Sequence, residues 1–174
     1  MLFSPTTLKD AMLIDIERRE DERGYFARTM CREEFRAHGL AADFVQANHS
    51  YNRRRGTLRG MHFQRAPHEE IKLVRCVRGA IFDVIIDLRP DSPTYMRWEA
   101  FELTAENGRS LYVPSGFAHG FQTLVDHVDV IYQVSHPHTP SAEGGLRYDD
   151  PKFGIVWPEQ VTVIAPKDLA WAAA

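Results

Sequence analysis

Cysteine is scarce. The two present, Cys31 and Cys76, lie far apart and outside any CxxC spacing, which argues against a disulfide framework and against a thiolate metal site. Positive charge is not in excess either. Twenty-one Lys and Arg against 24 Asp and Glu leave a net charge of −3, a balance that disfavours a nucleic-acid partner and points to a small one. No apolar run approaches the roughly 20 residues that span a bilayer. The opening segment through Thr7 has neither the charged start nor the long apolar stretch of a signal peptide, so the expectation is a cytoplasmic protein without membrane contact. Repeats, low-complexity tracts and linkers are also missing. The 174 residues, 44% hydrophobic, therefore read as one domain, 1–174, with a core large enough to stand alone.

What is present is short alternation broken by turn residues. Ile71 to Val77 alternates, Arg78-Gly79 follows as a reversal, and Ala80 to Leu88 resumes in β-branched residues, so the pair reads as a hairpin. Arg89-Pro90-Asp91-Ser92-Pro93 is a turn, after which Thr94 to Leu103 reads as a further strand. Ser110 to Val113, Gly120 to Leu124 and Val128 to Val134 add three more, with a turn at Asp126-His127. Many short strands at regular spacing predict an all-β sandwich or barrel. Arg32 to His38, ending near Gly39, is the one convincing helix.

The polar groups set among these strands carry the chemistry. Leu58-Arg59-Gly60-Met61-His62-Phe63-Gln64, Lys72 and Pro114-Ser115-Gly116-Phe117-Ala118-His119-Gly120 supply a base, a cation and a second imidazole on a rigid scaffold. By residue type, His62 suits a base, with an ordinary pKa of about 6.5. Lys72 suits an oxyanion, and Tyr132, on an apolar strand, suits an acid that starts protonated. Each has a plainer reading. His62 beside Met61 and Phe63 also suits a hydrogen-bonded core residue, Lys72 a solvated strand charge, and Tyr132 a packed aromatic.

Asp21-Glu22-Arg23-Gly24-Tyr25-Phe26, Val45-Gln46-Ala47-Asn48-His49-Ser50, LRGMHFQ, Lys72-Leu73-Val74-Arg75, Phe82-Asp83-Val84, Asp91-Ser92-Pro93-Thr94, Leu103-Thr104-Ala105-Glu106-Asn107, PSGFAHGF and Asp149-Asp150-Pro151 through Trp157-Pro158 occur in order. Together they resemble the dTDP-4-dehydrorhamnose 3,5-epimerase family from about Ile14 to Asp168. The resemblance implies a cupin-type β jelly-roll barrel with a few short helices, a homodimer whose N-terminal strand crosses to the partner, and a nucleotide-linked 4-keto-6-deoxyhexose as substrate, with no cofactor. It places the base on His62, the enolate-holding lysine on Lys72, the acid on Tyr132 and the carboxylate that orients the histidine on Asp168. Substrate contacts carry over to Arg23, Phe26, Gln46, Asn48, Ser50, Arg59, His119, Glu143 and Lys167, with Arg23, Arg59 and Lys167 facing the diphosphate. The N-terminal strand region, Ala11 to Arg18, has the pattern to pair with a sheet edge that a dimer would cover.

Departures from the family pattern bear on the nucleotide. Arg28 stands where these epimerases usually carry an acid, Ala47 where they carry Asp, and a tyrosine expected near residue 138 is missing from Gln133-Val134-Ser135-His136-Pro137-His138. A guanidinium only donates hydrogen bonds, so an Arg28 that read the base would favour CDP or GDP over dTDP. A metal-dependent cupin enzyme is the competing class, because Pro114-x-Gly116-x-x-His119 resembles the second cupin motif. Against it, His62 is followed by Phe63 and Gln64 instead of completing an HxH pair. A sugar-binding cupin without catalysis is the third class, and binding alone needs neither base nor acid.

Overall fold

A computed structural model describes residues 1–174. The strands are β1 (Leu2–Pro5), β2 (Met12–Asp15), β3 (Arg19–Asp21), β4 (Gly24–Phe26), β5 (Gln46–Asn52), β6 (Thr57–Gln64), β7 (Lys72–Arg78), β8 (Ala80–Asp87), β9 (Trp98–Thr104), β10 (Ser110–Val113), β11 (Phe117–Thr123), β12 (Val128–Val134), β13 (Glu143–Gly145) and β14 (Val163–Ile164). Two short helices, α1 (Arg32–Ala37) and α2 (Pro166–Leu169), complete the chain. One sheet runs β1-β2-β10-β7-β12-β5. The other runs β13-β6-β11-β8-β9, with β14 also on β6, and β3-β4 forms a separate two-stranded ribbon.

The alternation on either side of Arg78-Gly79 does not make the expected hairpin. β7 pairs with β10 and β12, whereas β8 pairs with β11 and β9 in the other sheet. Gly79, at φ +77°, turns an arch in which a Cβ would meet Val125 and Val128 at 3.0 and 2.9 Å. A tight reversal and an arch both need glycine here, and only packing separates them. The arch brings Val74 and Cys76 of one sheet against Ile81 and Ile85 of the other, in the core that also holds Leu103, Leu111, Phe117, Phe121 and Val130. The outer faces are covered too. Helix α1 and its flanks place Phe35, Leu40 and Ala42 over Ile14, Leu73 and Tyr112, while the segment after β13 lays Phe153 over Met61, Val84, Ile86 and Ala118.

The strand expected from Thr94 begins only at Trp98, because Thr94 is committed elsewhere. Asp87 ends β8 fully buried and accepts from Thr94 Oγ1 at 2.7 Å, from Ser92 Oγ, and from Arg89 Nε and Nη2 at 2.9 Å. Arg89 continues to Asp10 at 2.9 Å and to the Lys9 carbonyl at 2.7 Å, so one carboxylate fixes the turn and ties it to the N-terminal segment. Burial works against the charge on Asp87. The Arg89, Ser92 and Thr94 hydrogen bonds outweigh it and bring the pKa down from 3.8 to about 2. A group that ionises more readily folded than unfolded stabilises the fold above its unfolded pKa and loses that contribution as pH falls through its folded one. Asp87→Asn should therefore lower the unfolding free energy at neutral pH by about 2 kcal/mol in urea titrations. The gap from wild type should close as the pH is taken from about 5 to about 2.

Candidate active site

Strand β6 would put Arg59 and His62 on opposite faces if it were regular, since side chains alternate. It is not regular. His119 of β11 pairs with His62, but Phe121 pairs with Arg59, so an extra residue is accommodated between them. That bulge centres on Gly60, at φ +129°, where a Cβ would lie 2.5 Å from the Gly120 Cα. The bulge turns both Arg59 and His62 into one cavity, which they share with Lys72, His119 and Tyr132.

The chain's C-terminal region supplies the partner of His62. Val163 and Ile164 of β14 run parallel to Thr57 and Leu58, which delivers α2 alongside Gly60. Asp168, on α2 and buried, then accepts from His62 Nε2 at 2.7 Å and from the Gly60 amide at 3.2 Å. Burial opposes ionisation of Asp168, yet the His62 hydrogen bond and charge hold its pKa below the usual carboxylate range. An ionised carboxylate can only accept, so Nε2 donates to Asp168 and Nδ1 is the nitrogen left to face a ligand. The imidazole, 34% exposed, is open to a ligand on that side.

The facing wall comes from the other sheet. Lys72 opens β7 and Tyr132 lies on β12, and both line the two adjoining cavities, of about 330 and 290 Å³, that His62 also lines. The Lys72 ammonium is nearly buried and is paired with Glu70, itself nearly buried. Burial raises the pKa of the Tyr132 phenol, with the negative charge of Glu70 adding to the effect and Arg59 opposing it. The phenol therefore holds its proton through the neutral range.

Most of the other sequence-derived residues gather here. Arg59 Nε donates to Asn52 Oδ1 at 2.7 Å, and its side chain also borders a groove with Arg53 and Arg54. His119 Nε2 lies 2.8 Å from Oδ1 of the fully buried Asp83, making a second His–Asp pair. Gln46 and Asn48 are bonded to each other at 2.8 Å on one wall, Ser50 lies farther along the same strand, and Glu143 pairs with Lys167 at the rim. His138 stands in the wall where the family pattern places a tyrosine, its amide donating to Gln46 Oε1 at 3.2 Å.

Three residues do not gather. Arg23 and Phe26 sit on the β3-β4 ribbon, where Arg23 pairs with Asp21 at 2.6 Å and Phe26 is 72% exposed. Arg28 pairs with Glu34 of α1. None of the three lines the His62 cavities, so a base-reading role for Arg28 finds no support within one chain. Ala47 faces away as well, into a groove on the outer side of its sheet with Met30, Leu73 and Ile131. Conversely, the structure adds Glu70, Gln64 and Asp83. Asp83 was detectable as a lone acid at an inward position of an apolar strand, and Glu70 as an acid two places before Lys72 in extended chain, on the same face.

Both imidazoles engage carboxylates through Nε2, and no three His, Cys, Asp or Glu side chains converge as a metal site would need. This donor set fits acid–base chemistry, with a base and a protonated acid on facing walls and a cation beside them. The arrangement depends on Gly60. Gly60→Ala should destabilise the protein by at least about 2 kcal/mol, from the positive φ and the clash with β11. In whatever fraction stays folded, the His62–Asp168 contact should be lost, with a carboxylate pKa returned toward its ordinary value in a carbon-13 NMR titration.

Comparison with known proteins agrees with this geometry. The family model for dTDP-4-dehydrorhamnose 3,5-epimerase matches residues 5–174. A dTDP-4-dehydrorhamnose 3,5-epimerase of Sinorhizobium fredii is 43% identical over 97% of this chain and 87% of its own. The crystal structure of the Bacillus anthracis enzyme of that name, with TDP and PPi bound, superposes with a TM-score of 0.96 at 38% identity, covering 99% of both chains. A Legionella pneumophila dTDP-6-deoxy-D-glucose-3,5-epimerase in complex with dTDP-4-keto-L-rhamnose superposes at 0.92, with 35% identity over 99% of this chain and 92% of that one. The two-sheet fold is accordingly a cupin-type jelly roll, and the chain belongs to the dTDP-4-dehydrorhamnose 3,5-epimerase family of isomerases.

Proposed function

We propose that this protein inverts carbons 3 and 5 of a dTDP-linked 4-keto-6-deoxyhexose, without a cofactor, with His62 as base, Lys72 as the enolate's counter-charge and Tyr132 as acid. The observation that carries this reading is the placement of the His62–Asp168 pair and the Tyr132 phenol on facing sheets around one cavity. A proton next to a ketone is weakly acidic. His62 Nδ1 removes it, the C–H electron pair moves into the ring, and the carbonyl electrons settle on oxygen as an enolate beside the Lys72 ammonium. Tyr132 returns a proton to the same carbon from the opposite face. Exchange with solvent reloads the phenol and unloads the imidazole. Nothing is oxidised overall, so the chemistry calls for no redox partner.

The nucleotide end of the substrate fits the positive side of the cavity. Arg59 joins the His62 cavity to the groove with Arg53 and Arg54, and this path suits a diphosphate. dTDP is the carrier favoured, since Arg28 is engaged by Glu34 and the relatives of known structure bind TDP or a dTDP-sugar. Arg23 and Phe26 reach substrate only if the exposed β3-β4 ribbon crosses to a second copy. A homodimer exchanging its N-terminal strands does this, and it would also cover Tyr25 and Phe26, exposed by 48% and 72%. Strand β2 itself needs no partner, being held between β1 and β10. No helix is long and apolar enough to cross a membrane, and the cytoplasm is the compartment we assign.

Two experiments test the reading. In deuterated water, His62→Ala should abolish solvent exchange at both carbons of the substrate while leaving the fold intact, and exchange at the wild-type rate would refute the base. Asp168→Asn should slow it by about tenfold to a thousandfold, the cost of losing a group that orients the base. Light scattering should give twice the 20.0 kDa chain mass, and substitution of Phe26 by Ala should weaken substrate binding. A stable monomer at micromolar concentration with full activity would overturn strand exchange.

A further inference from the structure

Glu70 is a charged side chain in the catalytic cavity to which the reaction above gives no role. It sits just before β7, lines the same cavity as His62, Lys72 and Tyr132, and is 10% exposed. One carboxylate oxygen accepts from the Lys72 ammonium, and the other accepts from Gln64 Nε2 at 3.2 Å. Gln64 is fixed in turn by donating to the His68 carbonyl at 2.9 Å and by accepting from the Thr139 amide at 2.6 Å. Glu70 is therefore held in place from both sides.

A buried ion pair is a poor device for stability, because the cost of desolvating two charges commonly matches or exceeds their attraction. This one borders the reacting groups, where such a cost is met by chemistry. We propose that Glu70 is a positioning residue of the epimerisation: its carboxylate anchors the Lys72 ammonium where the enolate oxygen forms, and its negative charge, in the same cavity, acts on the Tyr132 phenol that returns the proton. The proposal rests on the roles given above to Lys72 and Tyr132.

Several other titratable or charged groups border the cavities that the same phenol lines. From the sheet of β6 and β11 come Arg59, His62 and His119, with Asp168 and Asp83 behind the two imidazoles. From β13 and the segment after β12 come Glu143 and His138. Among these, Glu70 raises the proton affinity of Tyr132 and Arg59 lowers it, after the larger effect of burial. Removing Glu70 thus makes the phenol proton easier to lose, which moves the alkaline side of the rate profile to lower pH.

Glu70→Gln keeps the shape and an acceptor for Lys72 while removing the charge. Its kcat at pH 7 should fall by about threefold, and the alkaline fall in kcat should begin at least about half a pH unit earlier, the size of a threefold change in proton affinity. Glu70→Ala also removes the acceptor, so kcat at pH 7 should drop by about tenfold or more with KM little changed. Glu70→Asp should restore the alkaline limb toward its wild-type position. A folded Glu70→Gln enzyme whose limb coincides with wild type overturns the proposal, as does a raised KM at unchanged kcat, which would make Glu70 a substrate contact. A lowered Tm with an unmoved limb would mark Glu70 as structural and equally refute it. His62→Ala separates the two levels: exchange surviving in that variant brings down the site reading and this proposal together, while exchange lost there with an unmoved limb in Glu70→Gln removes only the role of Glu70.

Discussion

The contact of β6 with β11 at Gly60 is the constraint on which the site depends. Two backbones meet there at a distance that admits no Cβ, and the extra residue taken up by the bulge changes which side of the strand faces inward. Without that change His62 and Arg59 would face opposite ways, one into the cavity and one into the outer layer with Met61. At the same bulge the Gly60 amide donates to Asp168. One glycine therefore sets the direction of His62, the direction of Arg59 and part of the seat of Asp168, the carboxylate bonded to His62.

The two sheets divide the chemistry between them. The β6 side holds the imidazoles, each backed by a carboxylate, and the β7 and β12 side holds the ammonium and the phenol. Because each group projects from a paired strand, its position is fixed by ladder hydrogen bonds before substrate arrives. In the reaction proposed for this site, deprotonation and reprotonation on opposite faces of a sugar carbon use this separation. A site built on one sheet would place both groups on one side and return the proton to where it came from.

The alternation of Ala80 to Leu88 and of Val128 to Val134 identified their strands and the residues facing the core, because period-two patterning survives in any sheet with one buried face. Which strands pair was not written locally. Arg78-Gly79 carries the residues of a tight turn but makes an arch between sheets, and Thr94 has strand propensity but is claimed by Asp87. His62, Lys72 and Tyr132 were recognisable from their flanking motifs, and the structure brings them to one cavity. Asp168 stands 106 positions from His62, a pairing that only the family pattern could suggest. Arg23, Phe26 and Arg28 lie outside the cavity, since a motif marks residue type and order and says nothing about where the side chain is carried. The Gly60 bulge was invisible, as a glycine inside an apolar strand has several explanations.

Strand β14 and helix α2 have a consequence for how the protein comes into being. The N-terminal parts of a chain emerge first during synthesis and begin to fold as they appear. Both sheets and the cavity between them are drawn almost wholly from residues before Gly145, yet the aspartate that accepts from His62 arrives only with helix α2. The scaffold can thus be nearly complete while the nascent chain still lacks the carboxylate that bonds His62, so in the reaction proposed for this site catalytic capacity follows the folding of the sheets and does not accompany it.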